Sequence, residues 1–127
     1  MKKIASAIFA FIIINTCNHI YAQENFEWQP ENSFHATAME AFHGAEINRL
    51  QRIKDSAASI LNKVEIWKNA AIPGNYKAGE IKPLLQVLYD ECKAINDAVV
   101  AKKSDTELRP LVLKAHETFH QIISKTK

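Results

Sequence analysis

The chain has 127 residues, of which 47% are hydrophobic and 24% are charged, and its formal net charge is +2 at pH 7. This length suits a single domain. Because the charges nearly balance and no basic block occurs, the sequence argues against nucleic-acid binding.

Residues 1–22 have the pattern of a secretory signal peptide. Lys2 and Lys3 precede an apolar run over residues 4–14, and the small residue Ala22 precedes the expected cleavage point. The run is shorter than the roughly 20 residues that span a bilayer. We therefore expect cleavage after Ala22, a periplasmic or secreted location and no membrane span in the mature chain.

The alternative is a lipoprotein signal in which Cys17 bears the lipid, although Thr16 is not the small residue usual before such a cysteine. With cleavage after Ala22, Cys17 is removed and Cys92 is the single cysteine left, so no internal disulfide is expected. No C-x-x-C-H motif for covalent haem attachment occurs.

The mature chain is predicted to be entirely helical. Residues 23–31 are interpreted as an extended arm and residues 32–127 as the folded domain, whose first helix is capped by Asn32 or Ser33. Gly44 marks a bend or end of that helix. The apolar residues of the first helix that recur at helical spacing are Phe34, Ala38, Ala41, Phe42 and Ala45.

Two further apolar stripes predict helices two and three, separated by a turn over residues 72–75. The second stripe is Leu50, Ile53, Ala57, Ile60, Leu61, Val64 and Trp67. The third stripe is Ile81, Leu84, Leu85, Leu88, Cys92, Ile95 and Val99. Cys92 is interpreted as a buried small hydrophobic residue.

The fourth helix begins with a capping box, in which Ser104 is the cap and Glu107 reaches back to it. Pro110 predicts a kink or a later start. Its apolar face is Leu108, Leu111, Val112, Ala115, Phe119, Ile122 and Ile123. Four amphipathic helices with short links predict an all-α, antiparallel up-down-up-down four-helix bundle.

Histidines suggest a functional site between the first and fourth helices. His35 and His43 are eight residues apart on the first helix, with Met39 midway, and His116 and His120 are four apart on the fourth. Residues four apart share one side of a helix. Because these helices are antiparallel neighbours, the two groups are expected to meet at similar height.

The local sequences resemble the soluble periplasmic b-type cytochromes with a four-helix bundle, whose superfamily includes cytochrome c′. Met39-Glu40-Ala41-Phe42 is similar to that family's Met-Glu-x-Leu, and Phe119-His120-Gln121 to its Tyr-His-Gln. The resemblance implies haem b with Met39 and His120 as axial ligands. It also implies one-electron transfer with a periplasmic redox partner, at a potential raised by the thioether–imidazole pair.

Four histidines exceed what such a haem needs, so a transition-metal site remains the alternative. His35, His43, His116 and His120 would then bind copper or zinc, for metal buffering or delivery. A cofactor-free structural protein is the third hypothesis. No catalytic residue is predicted: residues 116–120 match the H-E-x-x-H zinc-protease pattern, but Glu117 is interpreted as a solvated helix residue.

Overall fold

The computed structural model describes residues 28–126, which form the predicted all-α bundle. Each helix packs on the next and the first packs on the last, as an up-down-up-down topology requires. The part of the chain described contains no strand, and none of its helices is long and apolar enough to cross a bilayer. The helices are α1 (Gln29–Glu46), α2 (Gln51–Asn69), α3 (Ala78–Val100) and α4 (Asp105–Ile123).

The first helix starts earlier than the sequence predicted. Trp28 is the N-cap residue of α1, and Pro30 lies in the first turn, so residues 29–31 are helical and neither Asn32 nor Ser33 is the cap. Proline fits this position because its missing N–H has no intrahelical partner there and its φ is already helical. The predicted signal peptide, Cys17 and the rest of the predicted arm lie outside the described residues.

The fourth helix starts where the capping box predicted. The Ser104 hydroxyl accepts a hydrogen bond from the Glu107 N–H (3.2 Å), and the Ser104 N–H donates to the Glu107 carboxylate (3.1 Å). Because α4 continues through Pro110 to Ile123, the prediction of a later start was wrong. Pro110 lies only one turn beyond the first and is exposed, which limits its effect on the helix.

Aromatic rings fill the interior where α1, α2 and α4 meet. Phe34 lies at the centre, with its ring centroid 5.3 Å from Trp67 and 5.7 Å from Phe119. Phe42 lies about two turns further along α1. Its ring centroid is 6.1 Å from that of Phe34. These four side chains are buried, and they fix the separation and register of α1 and α4.

The carboxyl end of α1 is held in place from two sides. The Gly44 carbonyl accepts hydrogen bonds from the backbone N–H of Ile47 (3.1 Å) and of Arg49 (2.8 Å). Arg109 of α4 donates from Nε to the Ala45 carbonyl (2.8 Å) and from Nη2 to the Glu46 carbonyl (3.2 Å). The helix therefore ends at Glu46, two residues beyond Gly44, against the side of α4.

Candidate functional site

Three imidazole rings meet where the carboxyl-terminal half of α1 crosses α4. His116 lies in the middle, with ring centroids 4.9 Å from His43 of α1 and 4.6 Å from His120, one turn further along α4. We call these three residues the histidine cluster. The contact between His43 and His116 places these two histidines of α1 and α4 at similar height.

His116 is the buried member of the cluster, only 6% exposed, whereas His43 and His120 are exposed. Its Nδ1 lies 3.2 Å from Oε1 of Glu46, the last residue of α1. A carboxylate accepts only, so Nδ1 carries the proton and the lone pair lies on Nε2. Burial lowers the pKa of His116, and the neighbouring His120 and His43 lower it further, against the opposing effect of Glu46. The ring is therefore neutral at neutral pH.

The free lone pair of His116 points at His120, with the two Nε2 atoms 3.0 Å apart. One proton shared between them makes this a hydrogen bond in which His120 donates. The same spacing suits two ligands of one ion. Nitrogen atoms bound at about 2.0–2.1 Å lie about 2.9 Å apart at a right angle and about 3.4 Å apart in a tetrahedron.

No third side chain is directed at the Nε2 atoms of His116 and His120 in the described part of the chain. Across residues 28–126, no group of three or more His, Cys, Asp or Glu side chains is arranged, as it stands, to hold a metal ion. His43 is the nearest further imidazole, and its exposure leaves its rotamer free to change. The histidine cluster therefore contains one pair of facing Nε2 atoms, on His116 and His120. The third imidazole, that of His43, contacts the ring of His116.

His35, also a predicted ligand, lies outside the histidine cluster. Its ring contacts Phe119 at 5.7 Å between centroids. It shares with His120 a separate surface groove of about 410 Å³ near the other end of α1. The structure thus divides the four predicted histidine ligands into a group of three and His35.

Met39 and His120, the axial pair implied by the resemblance to b-type cytochromes, do not fit haem in this packing. Met39 is buried with the core, whereas His120 is exposed and turned toward His116. On either side of the level of Met39, α1 contacts α4 through Phe34 and Phe119 (5.7 Å) and through Phe42 and His116 (5.8 Å). A porphyrin entering between the helices would have to separate these ring pairs.

Within residues 28–126, neither Glu117 nor Cys92 makes a hydrogen bond or ion pair with the histidine cluster. Glu117 is exposed, and its charge adds to the effect of burial, which is the main cause of the raised pKa of Glu91 on α3. Cys92 is 1% exposed, as predicted, and burial raises the pKa of its thiol.

Sequence reasoning missed Glu46 and Arg109. Glu46 follows His43 by three residues, which places both on one side of α1, and this spacing was the available signal. Arg109 carried no such signal, because its two hydrogen bonds depend on how the end of α1 crosses α4.

No family model matches the sequence, and neither the curated proteins nor the solved structures include a match.

Proposed function

We propose that this protein binds a transition-metal ion through His116 and His120, with His43 as the third ligand. The observation that carries the proposal is the facing pair of Nε2 atoms, 3.0 Å apart, with Glu46 on the opposite nitrogen of His116. A metal-bound histidine usually donates its other N–H to a carboxylate, which fixes the tautomer and makes the ligand more basic. Glu46 supports this arrangement before any ion is present.

The chemistry of the donors favours copper(II) or zinc. Imidazole nitrogen is a preferred ligand of both ions. The spacing of 3.0 Å is nearer to the right-angle arrangement of copper(II) than to a tetrahedron. If residues 1–22 direct export, the role is metal buffering or delivery outside the cytoplasm.

Haem binding and electron transfer are less well supported, because the aromatic contacts described above hold α1 against α4 on either side of the level of Met39. Adding haem to the purified protein and recording absorption spectra tests this directly. We expect no Soret band characteristic of a ligated haem. Such a band, lost in a Met39→Leu variant, would restore the cytochrome hypothesis.

Metal titration of matched variants tests the proposed site. Copper(II) and zinc affinities are measured by competition with a chelator for the wild type, His120→Ala, His43→Ala and Glu46→Gln. Both histidine variants remove exposed side chains, so folding should be retained. We expect each to weaken binding at least about tenfold, and Glu46→Gln to weaken it about 10- to 100-fold, as outer-shell partners do.

His35→Ala is the matched control, since it removes an exposed imidazole from the same helix outside the cluster. We expect it to leave the affinity unchanged. Equal losses in His35→Ala and His43→Ala would overturn the assignment of the third ligand. Absence of saturable metal uptake by the wild type would leave the structural, cofactor-free role.

A further inference from the structure

A large groove begins at the edge of the histidine cluster. It has a volume of about 630 Å³ and lies at the junction of α1, the following loop and the start of α2. His43 lines it, and the ring of His43 also contacts His116. We call this cavity the α1–α2 groove.

Charged side chains line the α1–α2 groove, and most of them are paired. Arg52 lies 2.8 Å from Glu40, and Lys54 lies 2.6 Å from Asp105. Arg49 also lines the groove and is exposed. Among the residues from 28 to 126 it makes no ion pair, so the lining, which also includes His43, carries one uncompensated positive charge.

We propose that the α1–α2 groove binds a small dicarboxylate that completes the coordination of the ion held by the histidine cluster. This inference rests on the proposed metal site. A site with three protein ligands keeps one position open for an exogenous ligand. One carboxylate of the anion would occupy that position, while the other would pair with the guanidinium of Arg49, whose planar fork matches a carboxylate.

A dicarboxylate would account for the unpaired Arg49 in a groove that His43 also lines. Arg49 would neutralise the charge that a second carboxylate brings into the groove, whereas Arg52 and Lys54 already have acidic partners. The protein would accordingly bind the ion together with its anionic chelator.

Titrating malonate into the copper(II)-loaded protein tests the inference, with electron paramagnetic resonance reporting the ligands of the ion. We expect a spectrum that differs both from the copper–protein complex and from copper–malonate in buffer. Arg49→Gln should weaken malonate binding about 10- to 100-fold, the range expected for a hydrogen-bonded charged pair, while copper affinity is retained. Lys82→Gln, which removes an exposed positive charge from α3, should change neither affinity.

The two proposals fail in different ways. If copper binds but malonate leaves the spectrum unchanged, or only strips the ion to give the spectrum of copper–malonate, the dicarboxylate site is overturned and the metal site stands. If Arg49→Gln and Lys82→Gln lower malonate affinity equally, the effect is one of overall charge and the assignment of Arg49 is overturned. If the protein takes up no copper, both proposals are overturned.

Discussion

His116 combines three properties that favour metal binding. It is buried, its Nδ1 is held by the carboxylate of Glu46, and its Nε2 faces a second imidazole. Burial keeps the ring neutral, and the carboxylate selects the tautomer with its lone pair directed at His120. Because only the neutral ring binds a metal, this residue remains a competent ligand at a lower pH than an exposed histidine does.

The same burial predicts that stability falls in mild acid. The pKa of His116 is lowered in the folded state, so the unfolded chain binds more protons between that value and its own pKa of about 6.5. Stability therefore decreases as the pH falls through this window. We expect the urea midpoint of the metal-free wild type to be lower at pH 5.5 than at pH 7.5, as followed by circular dichroism.

His116→Gln isolates this effect, because glutamine fills a similar space without titrating. The pH dependence should be smaller in the variant than in the wild type. Burial raises the pKa of Glu91, which acts in the opposite direction, but its contribution is common to both proteins and cancels in the difference. An identical pH dependence in the two proteins would contradict the prediction.

Spacing along each helix, taken together with the expected pairing of the first and last helices, was the signal for the candidate site in the sequence. It placed His116 and His120 on one side of α4, and the formed pair follows from this. It left open whether His116 was a ligand or a residue at the edge of the apolar face. Burial of His116 depends on the rings of Phe42 and His43 packed over it from another helix, which no local pattern encodes.

At the scale of elements, the end of α1 decides whether Glu46 reaches His116. Gly44 allows the returning chain to approach so closely that an added Cβ would lie 2.7 Å from the Arg49 carbonyl oxygen. Asn48 makes the reversal in the left-handed region, with φ of 59°, a conformation that asparagine tolerates better than most residues. Arg109 then anchors the last carbonyls of the helix to α4.

Gly44→Ala is therefore expected to destabilise the protein, although alanine normally favours a helix over glycine by about 1 kcal/mol. The clash is with backbone, which cannot turn aside as a flexible side chain would. We expect a net loss of about 1–3 kcal/mol in the free energy of unfolding, as found for overpacked sites. Urea denaturation measures this, and metal affinity should fall with it if Glu46 is displaced.

Gly79→Ala is the matched control within α3. A Cβ added there meets nothing within 4 Å, and the residue lies in the first turn of its helix. We expect the variant to be neutral or slightly more stable than the wild type. A neutral or stabilising effect of Gly44→Ala would show that the loop relaxes and that the close approach is not needed.

Helices could be predicted from the sequence better than the ends of those helices. The four apolar stripes fixed how many helices form and which sides are buried, because burial of those stripes drives the packing. The Ser104 box located one start, since the cap is made by local side chains. The start at Gln29 was missed because Trp28 is held by ring contacts with Trp67 (5.8 Å) and Tyr76 (5.7 Å), which are distant in sequence.

At the scale of the whole molecule, the topology brings the first and last helices together as neighbours. His43 and His116 are 73 residues apart in the chain and yet make ring contact. An ion bound by the histidine cluster would thus join the two helices that are farthest apart in sequence. The unfolded chain does not hold these ligands together, so binding energy adds to the stability of the native bundle.

Metal binding should therefore stabilise the bundle by mass action. At free copper(II) or zinc about 100 times the dissociation constant, the free energy of unfolding should rise by about 2.7 kcal/mol if the unfolded chain does not bind the ion. Thermal unfolding over a series of metal concentrations measures this.

The proposed metal bridge between α1 and α4 also predicts where the protection appears. Hydrogen exchange should slow at the carboxyl end of α1 as well as in α4. In His43→Ala at the same saturation, protection should persist near His116 and His120 but be lost at the end of α1. Protection confined to α4 in the wild type would mean that the ion is bound by α4 alone and does not link it to α1.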